Sequence, residues 1–388
     1  MLRIVSAICD SHIPHIIPSI FNVVFIMSYT SLSMLVNTNQ YYILLTKEHK
    51  RFLRIYGILG VSRYMEVTIM PRILRYGILS TSSIVPRFVN AMRLTDTGMV
   101  CSIASRSLAK AQAVASELGI PHACGDYHEI LDDPEIDVVY LPLPNSLHYP
   151  CAKEALLAGK HVVCEKPFAL HAWQAEELAN MARQRKLFIT EAVKSPFLPV
   201  YDRIKEIIGS KRLGEIRFME FKQSYTSGPY LEGWNRKKEY GGGVLYGNEA
   251  YFFTMAQYLG GKIVSCAGTL SCGEGETEDQ VSVSARLENN ALAVLNVSVK
   301  VLFRNGMTIY LDKGRIEVPD YWKASVAYVY ENDTLVETIE KPCQYEFQYE
   351  LRHYNDCILK GMSFSPVTPL ESTIRTLGFV ESLYAANK

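Results

Sequence analysis

From Arg72 onward the sequence alternates short apolar runs with stretches of helical period, and that alternation limits the fold more than any other feature. Tyr76–Leu79, Val100–Ala104, Val138–Leu141, His161–Cys164 and Leu187–Ile189 read as strands. Ile84–Met92, Leu108–Leu118, Leu147–Leu157 and Trp173–Arg183, lying between them, read as helices. Strands separated by helices run parallel, with the crossover helices covering both faces of the sheet. Such doubly wound sheets take ligands beyond the carboxyl ends of their strands, where helix N-termini present unpaired N–H groups. An α/β nucleotide-binding domain is predicted over residues 70–193.

After Pro199 the texture changes. Ile216–Tyr225, Ile263–Leu270, Val281–Leu287, Ala291–Val301, Thr308–Leu311 and Ser325–Tyr330 are strand-like, and Asn289-Asn290 and Glu331-Asn332-Asp333 mark hairpin turns. This predicts an α+β domain over 194–388 with an open, mainly antiparallel sheet. One face is covered by helices and the other is free to pack on a second subunit. Phe347–Leu359 and Pro369–Ala386 read as closing helices, punctuated by Gly361 and Pro366.

Residues 1–69 do not share this texture. They carry nine charged side chains against 71 in the other 319 residues, and none between Asp10 and Lys47. The most apolar window, Ile13–Leu35, is broken by Pro14, His15, Pro18 and Asn22. A spanning helix needs about 20 predominantly apolar residues, so this one is marginal. An upstream start, with Met65 or Met70 as the true beginning, accounts for the segment best. A membrane anchor and a poorly ordered tail are the alternatives.

Charge and cysteine content narrow the partners. Forty basic side chains balance forty acidic ones, which leaves no basic field for nucleic acid. None of the nine cysteines forms a Cys-x-x-Cys pair, so zinc-ribbon and redox-dithiol readings lose their signature. No metal site is expected, and reduced thiols fit a cytoplasmic protein.

The turn after the first strand reads Gly77-Ile78-Leu79-Ser80-Thr81-Ser82-Ser83-Ile84-Val85. A dinucleotide fingerprint has glycines where Ser80 and Ser82 stand, and Gly or Ala where Val85 stands, so it is eroded here. Serine is still small and its hydroxyl donates to phosphate. Ser80, Thr81, Ser82 and Ile84, at the start of the helix, are the candidate phosphate cradle. The second strand ends in Ser105-Arg106-Ser107. An acidic residue there would hold the 2′-hydroxyl of NAD, whereas Arg106 accommodates the 2′-phosphate of NADP, with Ser105 beside it.

The segment most rich in signal is Leu141-Pro142-Leu143-Pro144-Asn145-Ser146-Leu147-His148, followed by Cys164-Glu165-Lys166-Pro167. With the Ser105-Arg106-Ser107 turn, Glu191-Ala192, Gly241-Gly242-Gly243 and Tyr251, it resembles the Gfo/Idh/MocA (glucose–fructose oxidoreductase / inositol dehydrogenase) family. The resemblance spans about residues 72–388 and is closest in character to the dihydrodiol-dehydrogenase-like members. It implies a Rossmann domain followed by an open antiparallel sheet, often the surface of a homodimer. It implies hydride transfer between NADP(H), or NAD(H), and a hydroxyl-bearing carbon of a sugar, polyol or trans-dihydrodiol. Carried over, Lys166 would hydrogen-bond the reacting oxygen and Glu165 would sit by the cofactor ribose. Pro144, Asn145 and His148 would approach the nicotinamide, and a cis peptide often precedes the residue at Pro167.

Two departures stand out. Where the family has Asp, four residues before Tyr251, this chain has Gly247, and the family's following Gly is Glu249. Tyr251 remains as an acid/base. Asn248, one turn from it, is a candidate for holding a substrate hydroxyl in place of the Asp, and an ideal helix would turn Glu249 elsewhere. Trp234, on the loop before the glycine run, is a candidate substrate-lining residue. The missing Asp and the eroded fingerprint leave one rival reading, a nucleotide- and sugar-binding sensor that does not turn over.

Overall fold

The computed structural model describes residues 72–226, 232–273 and 275–388, together with four short strands before them. The chain divides into two compact units, 1–72 and 73–388. In the first, β1 (Leu35–Thr38), β2 (Tyr41–Leu44), β3 (Phe52–Gly57) and β4 (Ser62–Glu66) form an antiparallel meander. The anchor window falls on residues 13–34, outside the described residues, apart from Leu35. Among the described residues no helix is long and apolar enough to cross a membrane.

The second unit begins with β5 (Leu74–Leu79), α1 (Val85–Met92), β6 (Gly98–Ala104) and α2 (Leu108–Leu118). It continues through β7 (His122–Cys124), α3 (His128–Leu131), β8 (Val138–Leu141), α4 (His148–Leu157), β9 (His161–Glu165), α5 (Ala172–Arg185) and β10 (Ile189–Ala192). The six strands pair in parallel in the order β10-β9-β8-β5-β6-β7. The chain leaves β5 toward β6 on one side and later crosses to β8 on the other. That reversal opens a crevice at the carboxyl ends of β5 and β8. Phe88 of α1 stacks on Tyr140 of β8 with ring centroids 3.8 Å apart and planes 8° from parallel. Both rings are buried, and such a pair adds about 0.5–1.5 kcal/mol beyond its burial. It fixes α1 over the sheet, and with it the turn that precedes α1.

The rest of the unit comprises α6 (Pro199–Gly209), β11 (Ile216–Ser224), α7 (Val244–Gly260), β12 (Ile263–Cys272), β13 (Glu278–Leu287), β14 (Leu292–Ser298), β15 (Gly306–Leu311), β16 (Gly314–Pro319), β17 (Val326–Glu331) and β18 (Thr334–Glu340). These strands form one sheet in the order β12-β13-β14-β11-β15-β16-β17-β18, antiparallel except where β11 meets β14. Asn290 and Asn332 take positive φ in the two expected hairpin turns. One sheet face buries Val281, Val283, Ala285 and Leu287 with residues of α7, while alternate residues of β13 are exposed.

The closing helices α8 (Phe347–Leu359) and α9 (Leu370–Ala386) return to the first domain. Phe347, Leu351, Tyr354 and Ile358 of α8 share a core with β5 and α1. Tyr76 of β5 donates its hydroxyl to Asn355 Oδ1 of α8 at 2.5 Å. Helix α9 contributes Leu370 and Leu377 to the first domain's core, and Val380 and Leu383 to the second's. The C-terminal tail therefore fastens the two domains at their junction.

Candidate active site

The turn after β5 closes on itself before α1 begins. Ser82 N–H donates to Ser80 Oγ at 3.1 Å, and Val85 N–H donates to the Ser82 carbonyl at 3.0 Å. Ser82 Oγ is buried, and no protein group among the described residues hydrogen-bonds it. A buried hydroxyl left over at a helix start suits an anionic oxygen. No acidic residue stands in the first turn of α1 or of α2. At the end of β6, Ser107 N–H donates to Ser105 Oγ at 3.3 Å, and Arg106 is exposed beside them. The carboxyl edge of β5 and β6 thus fits a phosphate-bearing ligand without an opposing carboxylate in either helix start.

The Pro144–His148 turn ties this edge to its neighbours. Asn145 is buried, and its Nδ2 donates to the Gly241 carbonyl at 2.8 Å, so it joins the Rossmann domain to the glycine run. His148 is fully buried. Its Nδ1 lies 2.7 Å from the Pro167 carbonyl and its Nε2 2.9 Å from the Leu143 carbonyl. Burial lowers its pKa even though the two carbonyls pull the other way. A neutral ring donates to one of these carbonyls and abuts the other, so His148 is packed between the two turns.

Strand β9 ends at Glu165, and Lys166 follows it. Glu165 Oε1 accepts from the Tyr140 hydroxyl at 2.7 Å, which anchors the carboxylate to β8. The Lys166–Pro167 peptide is cis. Lys166 Nζ donates to the Gly247 carbonyl of α7 at 3.1 Å and lies 5.5 Å from the centroid of the Tyr251 ring. Lys166 and Tyr251, named from sequence as partners, therefore meet across the two domains. A second lysine joins them. Lys194, just beyond β10, is buried, and its Nζ donates to the Tyr251 hydroxyl at 3.2 Å. It also lies 5.1 Å from the Tyr251 ring and 5.2 Å from the Phe347 ring.

Three carboxyl groups are buried around this pair. Glu191 accepts from Phe168 N–H at 2.9 Å and from Thr373 Oγ1 at 3.0 Å, and burial pushes its pKa up to about 7. Glu350 accepts from the Tyr354 hydroxyl at 3.2 Å, and burial pushes it up to about 8 against the opposing pull of Lys194. Glu249 is buried too, and neither of its carboxyl oxygens has a protein hydrogen-bond partner among the described residues. Burial raises its pKa well above the carboxylate range; Glu191 adds to the rise and Lys166 opposes it. Glu249 is thus a buried carboxyl on α7 that feels the charges of Glu191 and Lys166.

Asn248 and Trp234 lie on either side of the glycine run that leads into α7. Asn248 is buried, and its Nδ2 donates to the Tyr225 hydroxyl at 3.0 Å and to the Val244 carbonyl at 2.7 Å. Its amide nitrogen ties α7 to Tyr225, just beyond β11. Trp234 is half-buried in the turn Gly233–Arg236. The Trp234 and Asn235 carbonyls crowd Gly242, and the Asn235 carbonyl accepts from Gly243 N–H at 2.9 Å. Gly243 has φ +123°, and a Cβ there would collide with the Glu278 carboxylate that accepts from Leu245 N–H. These contacts make the loop a brace for the start of α7. Among the described residues no cluster of three or more His, Cys, Asp or Glu is placed to hold a metal ion.

Comparison with known proteins agrees with this geometry. Residues 74–192 match an oxidoreductase family with an NAD-binding Rossmann fold, and residues 201–317 match the GFO/IDH/MocA C-terminal domain. A trans-1,2-dihydrobenzene-1,2-diol dehydrogenase of Xenopus tropicalis is 31% identical over 310 residues, covering 76% of this chain and 92% of its own. The Mus musculus enzyme of that name is 27% identical over 308 residues, covering 76% of this chain and 92% of its own. Among solved structures, levoglucosan dehydrogenase with NADH and levoglucosan superposes with a TM-score of 0.74 at 20% identity, covering 81% of this chain and 97% of that one. A 3-ketoreductase from Actinomadura kijaniata with NADP and TDP-benzene gives 0.73 at 22%, covering 82% and 98%. The chain belongs to the Gfo/Idh/MocA family of NAD(P)-dependent oxidoreductases.

Proposed function

We propose that the protein is an NADP-preferring dehydrogenase that interconverts a secondary hydroxyl and a ketone on a polyhydroxylated small molecule, of the trans-dihydrodiol or sugar class. The observation that carries this is the meeting of Lys166 and Tyr251 at the carboxyl end of β9, one ammonium and one phenol from opposite domains. Lys166 would hold the reacting oxygen and stabilise negative charge on it as the O–H bond breaks. Tyr251 would take the proton, or return it in the reductive direction. The nicotinamide, when bound, accepts or supplies the hydride. Ser80, Thr81 and Ser82 would hold its diphosphate, Arg106 and Ser105 its 2′-phosphate, and Glu165 its ribose. The dihydrodiol class is favoured by the curated relatives that match 76% of this chain. The test is initial-rate screening of trans-dihydrodiols, aldoses and inositols with NADP⁺ and NAD⁺. Reduction of NADP⁺ by at least one class, faster than NAD⁺, is expected; no turnover with any of them sinks the reading.

Two further elements belong to it. A second copy of the chain covers the open face of the large sheet, where Val264, Leu292 and Tyr310 stand exposed at 40%, 42% and 39%. Sedimentation should give a dimer that Tyr310→Lys weakens, and an unchanged monomer counts against it. Placement in the cytoplasm is supported by the eight cysteines that are free among the described residues.

A further inference from the structure

Lys194 is a lysine with 5% of its surface exposed, and the hydrogen bond its ammonium makes runs to a phenol and not to a carboxylate. Burying an ammonium is costly unless something close gains from the charge. Here the group that stands to gain is the Tyr251 hydroxyl, 3.2 Å from Nζ, with the ring face 5.1 Å away. The Phe347 ring, 5.2 Å from Nζ on the other side, confines the ammonium. Nothing in the local sequence announces this contact, because Lys194 and Tyr251 lie 57 residues apart and on opposite domains.

We propose that Lys194 is a positioning residue for the reaction: its ammonium fixes the Tyr251 hydroxyl and stabilises the negative charge on that oxygen whenever Tyr251 is without its proton. The inference rests on the assignment of Tyr251 as the proton-transfer group. In the oxidative direction the substrate O–H bond breaks and its proton bonds to the Tyr251 oxygen. The hydride leaves to the oxidised nicotinamide, and Lys194 keeps its three protons throughout. In the reductive direction each transfer reverses. Lys194 thereby supplies, from just beyond β10, an orienting charge for Tyr251 on a helix where Gly247 has no side chain.

The groups facing this pair support the same picture. Lys166 lies over the Tyr251 ring from β9. Tyr140 from β8 and Tyr321 from the second domain feel Tyr251, and both are buried. Glu165 is engaged by the Tyr140 hydroxyl. Glu191, Glu249 and Glu350 are held toward their neutral forms by burial. Carboxyls held toward their neutral forms offset the two ammoniums less than carboxylates would.

The test compares Lys194→Met and Lys194→Arg in the parent chain and in Tyr251→Phe, each in the full-length protein. Lys194→Met should lower kcat on a turned-over diol by about 10- to 100-fold, the range of a lost hydrogen bond to a charged group. KM and NADPH affinity should change little, and Lys194→Arg should recover most of the loss. In the Tyr251→Phe background the same substitution should cost less than about 2-fold. A near-ultraviolet difference spectrum between Lys194→Met and its parent should show a tyrosine band that vanishes in the Tyr251→Phe background. Equal losses in both backgrounds, or a spectrum without that tyrosine band, overturns the inference. The spectrum needs no substrate, so its failure falls on Lys194 alone. A parent enzyme that turns over no diol or sugar overturns the functional reading and, with it, the role given to Lys194.

Discussion

Lys166 donates its ammonium to the backbone carbonyl of Gly247, 3.1 Å away, at the position where the family places an aspartate. A peptide oxygen carries a partial charge and cannot take a proton, so it can orient the lysine but cannot serve as a base. On the proposed function proton transfer falls to Tyr251, whose hydroxyl is 3.2 Å from Lys194 Nζ and whose ring is 5.5 Å from Lys166 Nζ. Each assignment in the proposed function has a consequence that can be measured.

Ser82 tests the phosphate cradle. Its hydroxyl is buried at the start of α1 without a protein partner. Ser82→Leu should fill the space a diphosphate oxygen needs and weaken NADPH binding by at least about 10-fold, read by quenching or enhancement of bound-cofactor fluorescence. Ser82→Ala should weaken it by a few-fold, since the helix N–H groups remain. If Ser82→Leu binds NADPH as tightly as the parent, the diphosphate lies elsewhere.

Arg106 tests cofactor preference. It is the charged residue of the Ser105-Arg106-Ser107 turn, exposed at the end of β6. Arg106→Ala should weaken NADP(H) by about 1.5–3 kcal/mol, as for hydrogen bonds to charged groups, and leave NAD(H) nearly unchanged. Equal effects on both cofactors would remove the assignment.

Glu350 tests the buried carboxyls through stability. Its pKa rises from about 4.3 in an unfolded chain to about 8 in the fold, because burial disfavours the carboxylate. The folded state therefore holds more protons than the unfolded one between these values. The stabilisation is complete below about pH 4.3 and is lost as pH rises through 8, with a slope of at most about 1.4 kcal/mol per pH unit for this group. Glu191, pushed up to about 7, contributes in the same direction over a narrower window. Denaturant midpoints of Glu350→Gln should fall less steeply than the parent's between pH 5 and 8. A parent whose stability rises with pH across that window contradicts the buried, proton-holding carboxyls.

Much of the fold was legible because its signal is periodic. Leu108–Leu118, Val138–Leu141 and Phe347–Leu359 lie where the apolar pattern put them. Some elements escaped: β7 and α3 are three and four residues long and have little pattern to show, while α6 and the hairpin return arms β16 and β18 were missed despite their length. The site was legible where a strand end concentrates chemistry in one run, as in Glu165-Lys166-Pro167. Helix α7 is buried on nearly every side, from Val244 through Leu259, so no single face of a helical wheel points to the site. Lys194 escaped because a lone lysine after a strand resembles any solvated cation until the fold sets Tyr251 against it.

The account depends most on Lys166 and Tyr251 acting together, and single-turnover oxidation of a trans-dihydrodiol by NADP⁺ measures that directly. Lys166→Met and Tyr251→Phe should each slow the chemical step by about 10²–10⁴-fold, with NADPH affinity close to the parent's. The double variant should lose little beyond the worse single one, because groups that act as a unit are not additive. Full-speed turnover by Tyr251→Phe would contradict the account, since the proton would then leave by a route that bypasses the phenol.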